Sequence, residues 1–570
     1  MNIIYAADFG IVPGHHTDYP ARIAALVRSL APRTTVKFAP GLYDFLGGAQ
    51  TVHRRVSNSE QAAQLKAAVL LQNCRDITLD WQGAVLLFHE DLSPFMLLEC
   101  RNISIENLSF DWAVPLSAEG TVVHSNHEFV DVMIDSALYP YTVRNGKLLF
   151  LRENEKPAAL FAALEFDAST LQVRAGAGDT FPRVSASLQS AGLVRLTGDF
   201  KVPPLVGNVL VLRHGARIHP GLLADNCTHI QLSHIHVRNT GGLGMLFQFC
   251  EHIDICRVVF APALDSGRKV LSGHDDGLHF SNCRGKIRVE NCEFRGLMDD
   301  PINVHGTSVR VLEKLSDTVL RCAFIHPQSY GFSNWARSSD EIAFLEHKTL
   351  AELGTAKAVS YQFCENSEKE FTIEFSGPVP SALCPGDALE NLSNTPSLVC
   401  RYNHFGSCRA RGLLVSTPKP VLIEHNLFES SGSAILLAGD ANEWYESGAC
   451  HDVTIRNNTF ANCCTSEYQF CYGVISIAPE IPYRSQNQKF HTNIKITGNT
   501  FLANDRALLY AHCCGNLVFR GNVVFLSSRF YSTPFTNIRD CSCPVIERNE
   551  FTGTVLSLEK VRAMFNSSGR

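Results

Sequence analysis

The sequence predicts an all-β chain, a right-handed parallel β-helix with an N-terminal capping helix and two inserted small β-barrel or sandwich domains. Three observations predict it: a short β-rich phrase that recurs along the chain, one helical pattern near the start, and two long segments that lack the phrase. At 570 residues the chain is too long for one compact core, so an elongated repeat or several domains are expected.

The first predicted element is a helix over residues 18–30. Ile23, Leu26 and Val27 follow the i, i+3, i+4 spacing of one helical face, and Pro20 falls in the first turn, where proline is tolerated. A helix at this place would cover the open end of a β-helix and keep its edge strands from pairing with other chains.

The recurring phrase has two hydrophobic residues one position apart, then an asparagine near a turn, and ends in phenylalanine. Its last copies end 24 and 26 residues apart, a period typical of stacked β-coils, which bury their inward residues only by stacking. The asparagine suits a left-handed backbone position or a side-chain bond to the backbone, so stacked copies predict an amide ladder. Copies lie at 103–110, 253–260, 287–294, 422–428, 453–460 and 494–501, and two more end at Phe525 and Phe551.

Two segments interrupt the repeat and show the alternation of small antiparallel domains. The second follows directly after an acidic run, so we expect it to overhang that run and wall it into a pocket. The predicted division is 1–113 for the cap and first coils, 114–205 for the first insertion, 206–307 for coils with the acidic cluster, 308–398 for the second insertion, and 399–570 for the C-terminal coils.

Composition excludes several classes of function. Hydrophobic residues make up 45% and charged residues 19%, as in an ordinary soluble protein, and no basic run accompanies the net charge of −6. Nucleic acid is therefore not an expected partner, and a neutral substrate is favoured over a polyanion. No apolar run is long enough to span a bilayer, so no membrane association is expected.

The N-terminus shows no signal peptide, so the sequence as written predicts a cytoplasmic protein, or a periplasmic or secreted one if a signal was removed. The 20 cysteines lie mostly in apolar strand-like contexts, which favours buried free thiols over disulfides. Their spacing does not indicate a zinc site.

Two acidic clusters lie one predicted coil apart, at residues 274–277 and 299–306. Aspartate is a poor strand former, so packing preference does not explain two Asp pairs in a strand-rich chain. Gly277 and Pro301 indicate that each pair lies at a turn, where both carboxylates are exposed. Converging carboxylates are what acid/base cleavage of a glycosidic bond requires, so the sequence predicts a glycoside hydrolase. Turn-capping aspartate, which explains Asp275 well, and a calcium site are the alternatives.

The three-Asp arrangement resembles that of the polygalacturonase-like glycosidases, and the chain is more similar still to glycoside hydrolase family 110, the exo-acting α-1,3-galactosidases. The likeness extends over most of the chain. The segments that carry it are residues 207–215, 299–306, 326–332, 439–448 and 477–480.

The resemblance implies a parallel β-helix with β-barrel insertions and hydrolysis with inversion, without metal or cofactor. Inversion needs an acid and a base roughly 6.5–9.5 Å apart. By analogy Asp299 is the acid, and Asp276 and Asp300 share the water.

Further residues are predicted to bind the sugar. Trp444 would stack on the apolar face of galactose, with core packing as the alternative, and the acids would bond hydroxyl groups. Arg409 and Arg411 either line the groove or pair with acids, and His305 either bonds substrate or is structural. The predicted substrate-binding set is Asp275, His305, Arg409, Asp440, Trp444, Glu446 and Glu480.

The predicted function is exo-acting, inverting removal of terminal α-1,3-linked galactose from blood group B-type or linear Galα1-3Gal glycans. The expected partner is an oligosaccharide or glycoconjugate with terminal α-galactose, and homo-oligomerisation stays open. One alternative is an endo-acting galacturonan hydrolase, although the chain departs from its Asn-Thr-Asp-Gly and Gly-His-Gly motifs and lacks its Arg-x-Lys phrase. The other is a non-catalytic glycan-binding β-helix.

Overall fold

The chain forms a parallel β-helix, as the repeat predicts. The computed structural model describes residues 2–16, 18–152, 155–178, 181–467, 471–484, 489–530 and 532–567. Strands of successive coils pair in parallel and in register; Thr228–Val237, for example, lies between Arg101–Trp112 and Glu251–Phe260. The apolar positions of the repeat thereby stack into one continuous core that runs through the coils.

Two long sheets form the β-helix. The 22-stranded sheet contains Asn2–Tyr5, Gly14–His16, Thr34–Lys37, Leu42–Phe45, Arg75–Phe88, Arg101–Trp112, Thr228–Val237, Glu251–Phe260, Arg284–Glu290, Glu293–Phe294, Ser397–Arg401, His404–Phe405, Val421–Glu424, Leu427–Phe428, Val453–Arg456, Thr459–Ala461, His491–Thr497, Thr500–Ala503, Cys514–Arg520, Val523–Leu526, Val545–Glu547 and Glu550–Val555. The 13-stranded sheet contains Gln50–Val52, Leu65–Gln72, Ser93–Leu98, Leu222–Asp225, Met245–Gln248, Leu278–Ser281, Ile302–Thr307, Leu413–Val415, Ile435–Leu437, Glu446–Ser447, Gly473–Ile477, Ala507–His512 and Thr536–Arg539.

The asparagines of the repeat form the predicted amide ladder in the C-terminal coils. The backbone N–H and side-chain amide of Asn426 both donate to Asn458 Oδ1, at 3.0 Å each, and Asn458 bonds Asn499 in the same way. The left-handed residue of these coils is the one before the asparagine, such as His425, whereas Asn107 is itself left-handed. The ladder satisfies buried polar groups along one corner of these coils.

Phenylalanines at the end of the phrase stack along the core. The rings of Phe294, Phe405, Phe428 and Phe460 follow one another with centroids 4.4–5.3 Å apart. Each is at most 1% exposed, and full burial of such a side chain contributes about 1.5–3 kcal/mol. The repeat is therefore held by a phenylalanine stack inside and an asparagine ladder at the corner.

Both insertions are antiparallel sheets. The eight strands of the first are Ala118–Ser125, Phe129–Ile134, Tyr141–Arg144, Lys147–Phe150, Ala158–Phe166, Ser185–Ser190, Leu193–Thr197 and Val209–His214. The last of these pairs with the first and so extends the inserted sheet beyond the predicted end at residue 205. The second insertion is a closed barrel of Val309–Lys314, Val319–Ala323, Glu341–Glu346, Ala351–Phe363, Glu370–Phe375 and Ala388–Asn391.

Two α-helices lie within the described ranges. The helix Tyr19–Arg28 confirms the helical pattern near the N-terminus and packs Tyr19, Ile23 and Leu26 into the first coils. A second helix, Leu558–Ser567, was not expected; it packs Val561 and Phe565 on the outside of the C-terminal coils. In the part of the chain that the structure describes, neither helix is long and apolar enough to cross a membrane.

The cysteines are free thiols, as their contexts indicated. All twenty lie in the described ranges, and none of them forms a disulfide there. Several occupy one position of successive coils: the backbone N–H of Cys100 points to Cys227 Sγ at 3.3 Å, and that of Cys227 to Cys250 Sγ at 3.4 Å.

Candidate active site

A cavity of about 640 Å³ opens on the face of the 13-stranded sheet. Its apolar floor includes Leu414 and Leu436, from adjacent strands. The first insertion contributes Phe161 and Arg213 to the wall, and the second contributes Gln328. The second insertion therefore contributes to the wall of the cavity that contains the acidic run.

The two acidic clusters lie side by side at the bottom of this cavity. Residues 274–277 and 299–301 precede the strands Leu278–Ser281 and Ile302–Thr307, which pair in parallel from their first residues. A side chain at Gly277 would collide with the carbonyl oxygen of Pro301, 2.7 Å from the Cβ position, so only glycine lets the two turns approach this closely.

The carboxylates of Asp276, Asp299 and Asp300 converge. One oxygen of each lies within 4.8 Å of the others. The value of 4.8 Å is an upper limit for the distances between these oxygen atoms. At these atoms the three carboxyl groups are closer together than the roughly 6.5–9.5 Å typical of an inverting pair, so product stereochemistry is the first property to measure.

Asp300 is paired with Arg411. The backbone N–H of Arg411 donates to Oδ1 at 2.9 Å, and its guanidinium donates to Oδ2 at 2.6 Å. Burial raises the pKa of Asp300 to about 7; Arg411 opposes the rise, and the neighbouring carboxylates of Asp299 and Asp276 add to it. Asp300 is thus a buried carboxyl group with a dedicated cation, poised to change its charge near neutrality.

Asp276 ends a chain of hydrogen bonds through two buried histidines. Its Oδ2 lies 2.6 Å from His279 Nδ1, and His279 Nε2 lies 2.8 Å from His305 Nε2. His305 Nδ1 donates to the backbone carbonyl of Gly306 at 2.6 Å. Burial and the nearby Asp299 carboxylate raise the pKa of Asp276 well above its usual range, whereas burial lowers the pKa of His279 to about 4.

Asp299 is the most accessible of the three, with 22% of its side chain exposed. Its Oδ2 lies 3.5 Å from Nη1 of Arg409, which also donates to the carbonyl of Met298 at 3.2 Å. Arg409 therefore both lines the cavity and approaches an acid, so the two roles that the sequence offered as alternatives are combined in one residue.

Asp275 forms its contacts with two arginines and a histidine. It accepts from Arg213 Nη2 at 3.2 Å, lies 3.6 Å from Arg217 Nη1, and contacts His274 Nδ1 at 2.6 Å. Burial alone would raise its pKa, but His274, Arg217 and Arg213 hold the pKa of Asp275 well below its usual range. Its contacts are those of a permanently ionised group that orients Arg217, whose other nitrogen donates to Gln328 at 2.7 Å.

Glu446 lines the same cavity and accepts one hydrogen bond from each of two side-chain amides. Its Oε1 accepts from Asn58 at 2.6 Å and its Oε2 from Asn303 at 3.5 Å; His305 Nε2 is 3.6 Å away. Burial opposes ionisation, but His305, His279 and Arg411 outweigh it and hold the pKa of Glu446 below its usual value. Glu446 therefore offers a carboxylate on the side of the cavity facing Asp276.

Asp440 builds the loop that carries Trp444. Its carboxylate accepts backbone N–H groups from Asn442 through Tyr445, including Asn442 at 2.6 Å and Tyr445 at 2.8 Å. With both oxygens occupied and the residue 5% exposed, its observed contacts are those of a turn rather than of a hydroxyl acceptor.

Trp444 and Glu480 lie at the cavity mouth. Trp444 is 45% exposed, and its ring lies on His326 with centroids 4.9 Å apart, so it is a fixed aromatic surface rather than a core residue. Burial and the neighbouring Asp440 and Glu443 raise the pKa of Glu480.

Several lining residues were not singled out from the sequence. His279 and Asn303 each stand between two core residues of their strands, so their side chains point away from the core. A polar residue between two apolar ones was the signal by which the sequence could have identified both. Asn303 Oδ1 is buried and has no hydrogen-bond partner among the described residues. Gln328 lies in one of the segments that carry the family resemblance, whereas the others come from distant segments without a local signal: Asn58, Glu60, Phe161, Arg217 and Tyr472.

The three converging aspartates are also close enough to share a cation. However, Arg411 pairs with Asp300, and Arg409 lies 3.5 Å from Asp299. Guanidinium groups beside two of the three carboxylates supply the positive charge that a calcium ion would otherwise bring, so the arrangement favours a shared proton over a metal.

Comparison with known protein families identifies both insertions. The family described as GLAA-B beta-barrel domain I matches residues 118–210, and GLAA-B beta-barrel domain II matches residues 319–389.

Relatives named as α-1,3-galactosidases match nearly the whole chain. Alpha-1,3-galactosidase B of Bacteroides thetaiotaomicron is 40% identical over 98% of this chain and 93% of that protein. Alpha-1,3-galactosidase B of Akkermansia muciniphila is 34% identical over 96% of this chain and 69% of that protein. Among solved structures, the Streptococcus pneumoniae surface protein and adhesin PfbA covers 97% of this chain and 98% of its own, with a TM-score of 0.43 and 12% identity.

Proposed function

The chain belongs to the family of the α-1,3-galactosidases, and on this premise we propose that it is an exo-acting, inverting glycoside hydrolase that releases terminal α-1,3-linked galactose. The observation that carries the proposal is the convergence of Asp276, Asp299 and Asp300 at the bottom of a walled cavity. Walls from both insertions favour the end of a glycan over the middle of a polymer, which supports exo action.

The contacts of the three carboxylates support distinct roles. The acid must reach the glycosidic oxygen, which lies between the buried galactose and the acceptor nearer the solvent, and Asp299 is the accessible member. Asp300 accepts two hydrogen bonds from Arg411, which oppose the rise of its pKa on burial, so its carboxylate form has a counterion and is suited to accept the proton of the attacking water. Asp276, which accepts the backbone N–H of Asp300 at 3.2 Å, lies beside the same water position.

The charges of the cavity favour a neutral sugar over galacturonan. A uronate needs a guanidinium or ammonium group of its own. Here Arg411 is engaged by Asp300, Arg409 by Asp299, and Arg213 by Asp275. Glu60, Glu443 and Glu480 add further negative charge to the lining, which would repel a polyanion. A purely glycan-binding protein would have no need for three converging carboxyl groups at one point of its cavity.

The first test is a proton NMR time course on Galα1-3Gal and on its fucosylated, blood group B-type counterpart, with and without a chelator. We expect β-galactose to appear first, at a rate that the chelator leaves unchanged, because inversion turns the α-linkage into a β-hemiacetal. Initial α-galactose would contradict inversion and the shared water. Loss of activity in the chelator would contradict a metal-free site, and turnover of polygalacturonate instead would favour the galacturonan alternative.

Trp444 provides a test of sugar stacking. Replacing Trp444 with Ala is expected to raise KM about 3- to 10-fold with a small change in kcat, because an aromatic contact of this kind contributes about 0.5–1.5 kcal/mol. Trp444→Phe keeps an aromatic face and serves as the matched control, with a smaller rise in KM. Equal effects of both variants, or a loss confined to kcat, would contradict a stacking role.

A further inference from the structure

Two buried histidines behind Asp276 have no part in the roles assigned so far. His279 and His305 are 1% and 2% exposed; His279 lines the cavity, and His305 lies within hydrogen-bonding distance of His279. They lie on parallel strands, where His279 is level with Asn303 and His305 with Ser281. Their positions alternate with the core residues Phe280 and Val304, which fixes both imidazoles on the cavity side of the sheet.

The backbone carbonyl of Gly306 determines where the protons lie. A carbonyl oxygen only accepts, so His305 Nδ1 must carry a hydrogen at the 2.6 Å contact. A neutral His305 then offers a lone pair at Nε2, and the 2.8 Å contact requires a hydrogen on His279 Nε2. A neutral His279 has in turn only a lone pair at Nδ1, which faces Asp276 Oδ2 at 2.6 Å. A hydrogen must therefore lie between Asp276 and His279.

We propose that Asp276, His279 and His305 together store one buried proton, and that His279 takes this proton from Asp276 when Asp276 acts on the attacking water. In the resting unit Asp276 is a carboxylic acid that donates to His279 Nδ1. When the O–H bond of Asp276 breaks and an N–H bond forms at His279 Nδ1, the unit becomes a carboxylate beside an imidazolium, with its total charge unchanged. The role of Asp276 toward the attacking water rests on the proposed function, whereas the position of the proton rests on the hydrogen-bond geometry alone.

Charges around the unit favour both forms. In the resting form a neutral Asp276 avoids repulsion from the nearby carboxylates. In the second form Glu446, 3.6 Å from His305 Nε2, stabilises positive charge on the imidazole pair. The charged groups that face the unit are Asp275, Asp299, Asp300 and Glu446 as acids and Arg217 and Arg411 as cations. The series of hydrogen bonds ends at the backbone carbonyl of Gly306, so the stored proton cannot leave through the histidines.

The complete reaction balances with this store. Water gives one proton to Asp300 and its hydroxyl group to the anomeric carbon, while Asp299 gives its proton to the leaving oxygen. Asp276, as a carboxylate, accepts a hydrogen bond from the remaining O–H of the water and faces the positive charge that develops on the sugar ring. The proton then returns from His279 to Asp276, and Asp300 and Asp299 exchange protons with solvent.

Histidine NMR tests the store without reference to turnover. In protein labelled with ¹⁵N-histidine, we expect His305 to carry its hydrogen on Nδ1 and His279 on Nε2, with neither titrating between about pH 5.5 and 8. Signals are assigned by their loss in His279→Asn and His305→Asn. A His305 hydrogen on Nε2, or ordinary imidazole titration of either residue, would overturn the proposal. Because no substrate is present, this result is independent of the galactosidase activity.

Kinetics separate proton storage from simple positioning. An asparagine in place of His279 can accept the hydrogen bond of Asp276 but cannot take its proton, so His279→Asn is expected to lower kcat about 10²-fold with little change in KM. Near-wild-type kcat in this variant would show that a hydrogen bond suffices and would overturn the store. His491→Asn is the burial-matched control: His491 is fully buried, accepts the N–H of Cys450 at 2.9 Å and lies outside the cavity.

Discussion

Replacement of Asp299 by Asn is expected to lower kcat on Galα1-3Gal about 10²- to 10⁴-fold, the range that a general acid contributes. The amide keeps the size and the hydrogen-bonding shape of the carboxyl group but has no proton to give to the leaving oxygen. Asp299 is the one member of the cluster with an accessible side chain, so its loss should leave the buried contacts of Asp276 and Asp300 intact. KM should change little.

The leaving group distinguishes an acid from a base at this position. An aryl α-galactoside with a dinitrophenolate leaving group needs no proton, so Asp299→Asn should recover most of its activity on that substrate. Asp300→Asn, which removes the proposed base, should stay impaired on both substrates and is the matched comparison. If Asp300→Asn recovers on the aryl substrate and Asp299→Asn does not, the two roles are exchanged.

Arg411→Gln is expected to lower kcat at pH 7 about tenfold or more and to move the acid limb of the pH–rate profile upward by about 1–3 pH units. Burial already raises the pKa of Asp300 to about 7, and Arg411 is the cation that restrains this rise. Without Arg411 the pKa of Asp300 rises further, so the carboxylate form that accepts the water proton is present only at higher pH. Activity lost at pH 7 should return as the pH is raised.

The direction of that shift is informative because each role affects a different limb. A base is lost when the pH falls through its pKa, whereas an acid is lost when the pH rises through it. Movement of the alkaline limb in Arg411→Gln would therefore identify Asp300 as the proton donor. Because three carboxylates interact, the limbs are expected to report the cluster as a whole. Arg409→Gln, which alters the neighbour of Asp299, is the matched comparison.

The repeat could be predicted from the sequence because its physics is local. A coil that cannot bury its own apolar residues must stack, and the spacing of the phrase decided which residues stack on which. The phenylalanine stack and the asparagine ladder follow from that register. Because Leu278 pairs with Ile302, the two Asp clusters were bound to lie side by side. The helix Leu558–Ser567 escaped prediction since it packs outside the coils and belongs to no repeat.

Only the tertiary structure decided what the clustered residues do. The sequence assigned roles to Asp276, Asp299 and Asp300 only by analogy with a family, and it placed Asp275 and Asp440 among the predicted sugar ligands. Asp275 pairs with arginines that lie about 60 residues away in the chain and Asp300 with one 111 residues away, whereas Asp440 accepts hydrogen bonds from the backbone of its own loop. Charge state depends on distance and burial, which residue spacing does not encode across insertions.

The sequence by itself thus determined the β-helix, the position of the two acidic clusters in it and the family resemblance from which the reaction was predicted. The tertiary structure determined which carboxylate is accessible, which is paired with an arginine and which is linked to two buried histidines. The physical reason is that hydrophobic stacking recurs at a regular spacing along the chain, so the period of the sequence reveals it. Electrostatic and hydrogen-bond partners come from wherever the fold brings them, here from both insertions and from coils more than a hundred residues apart.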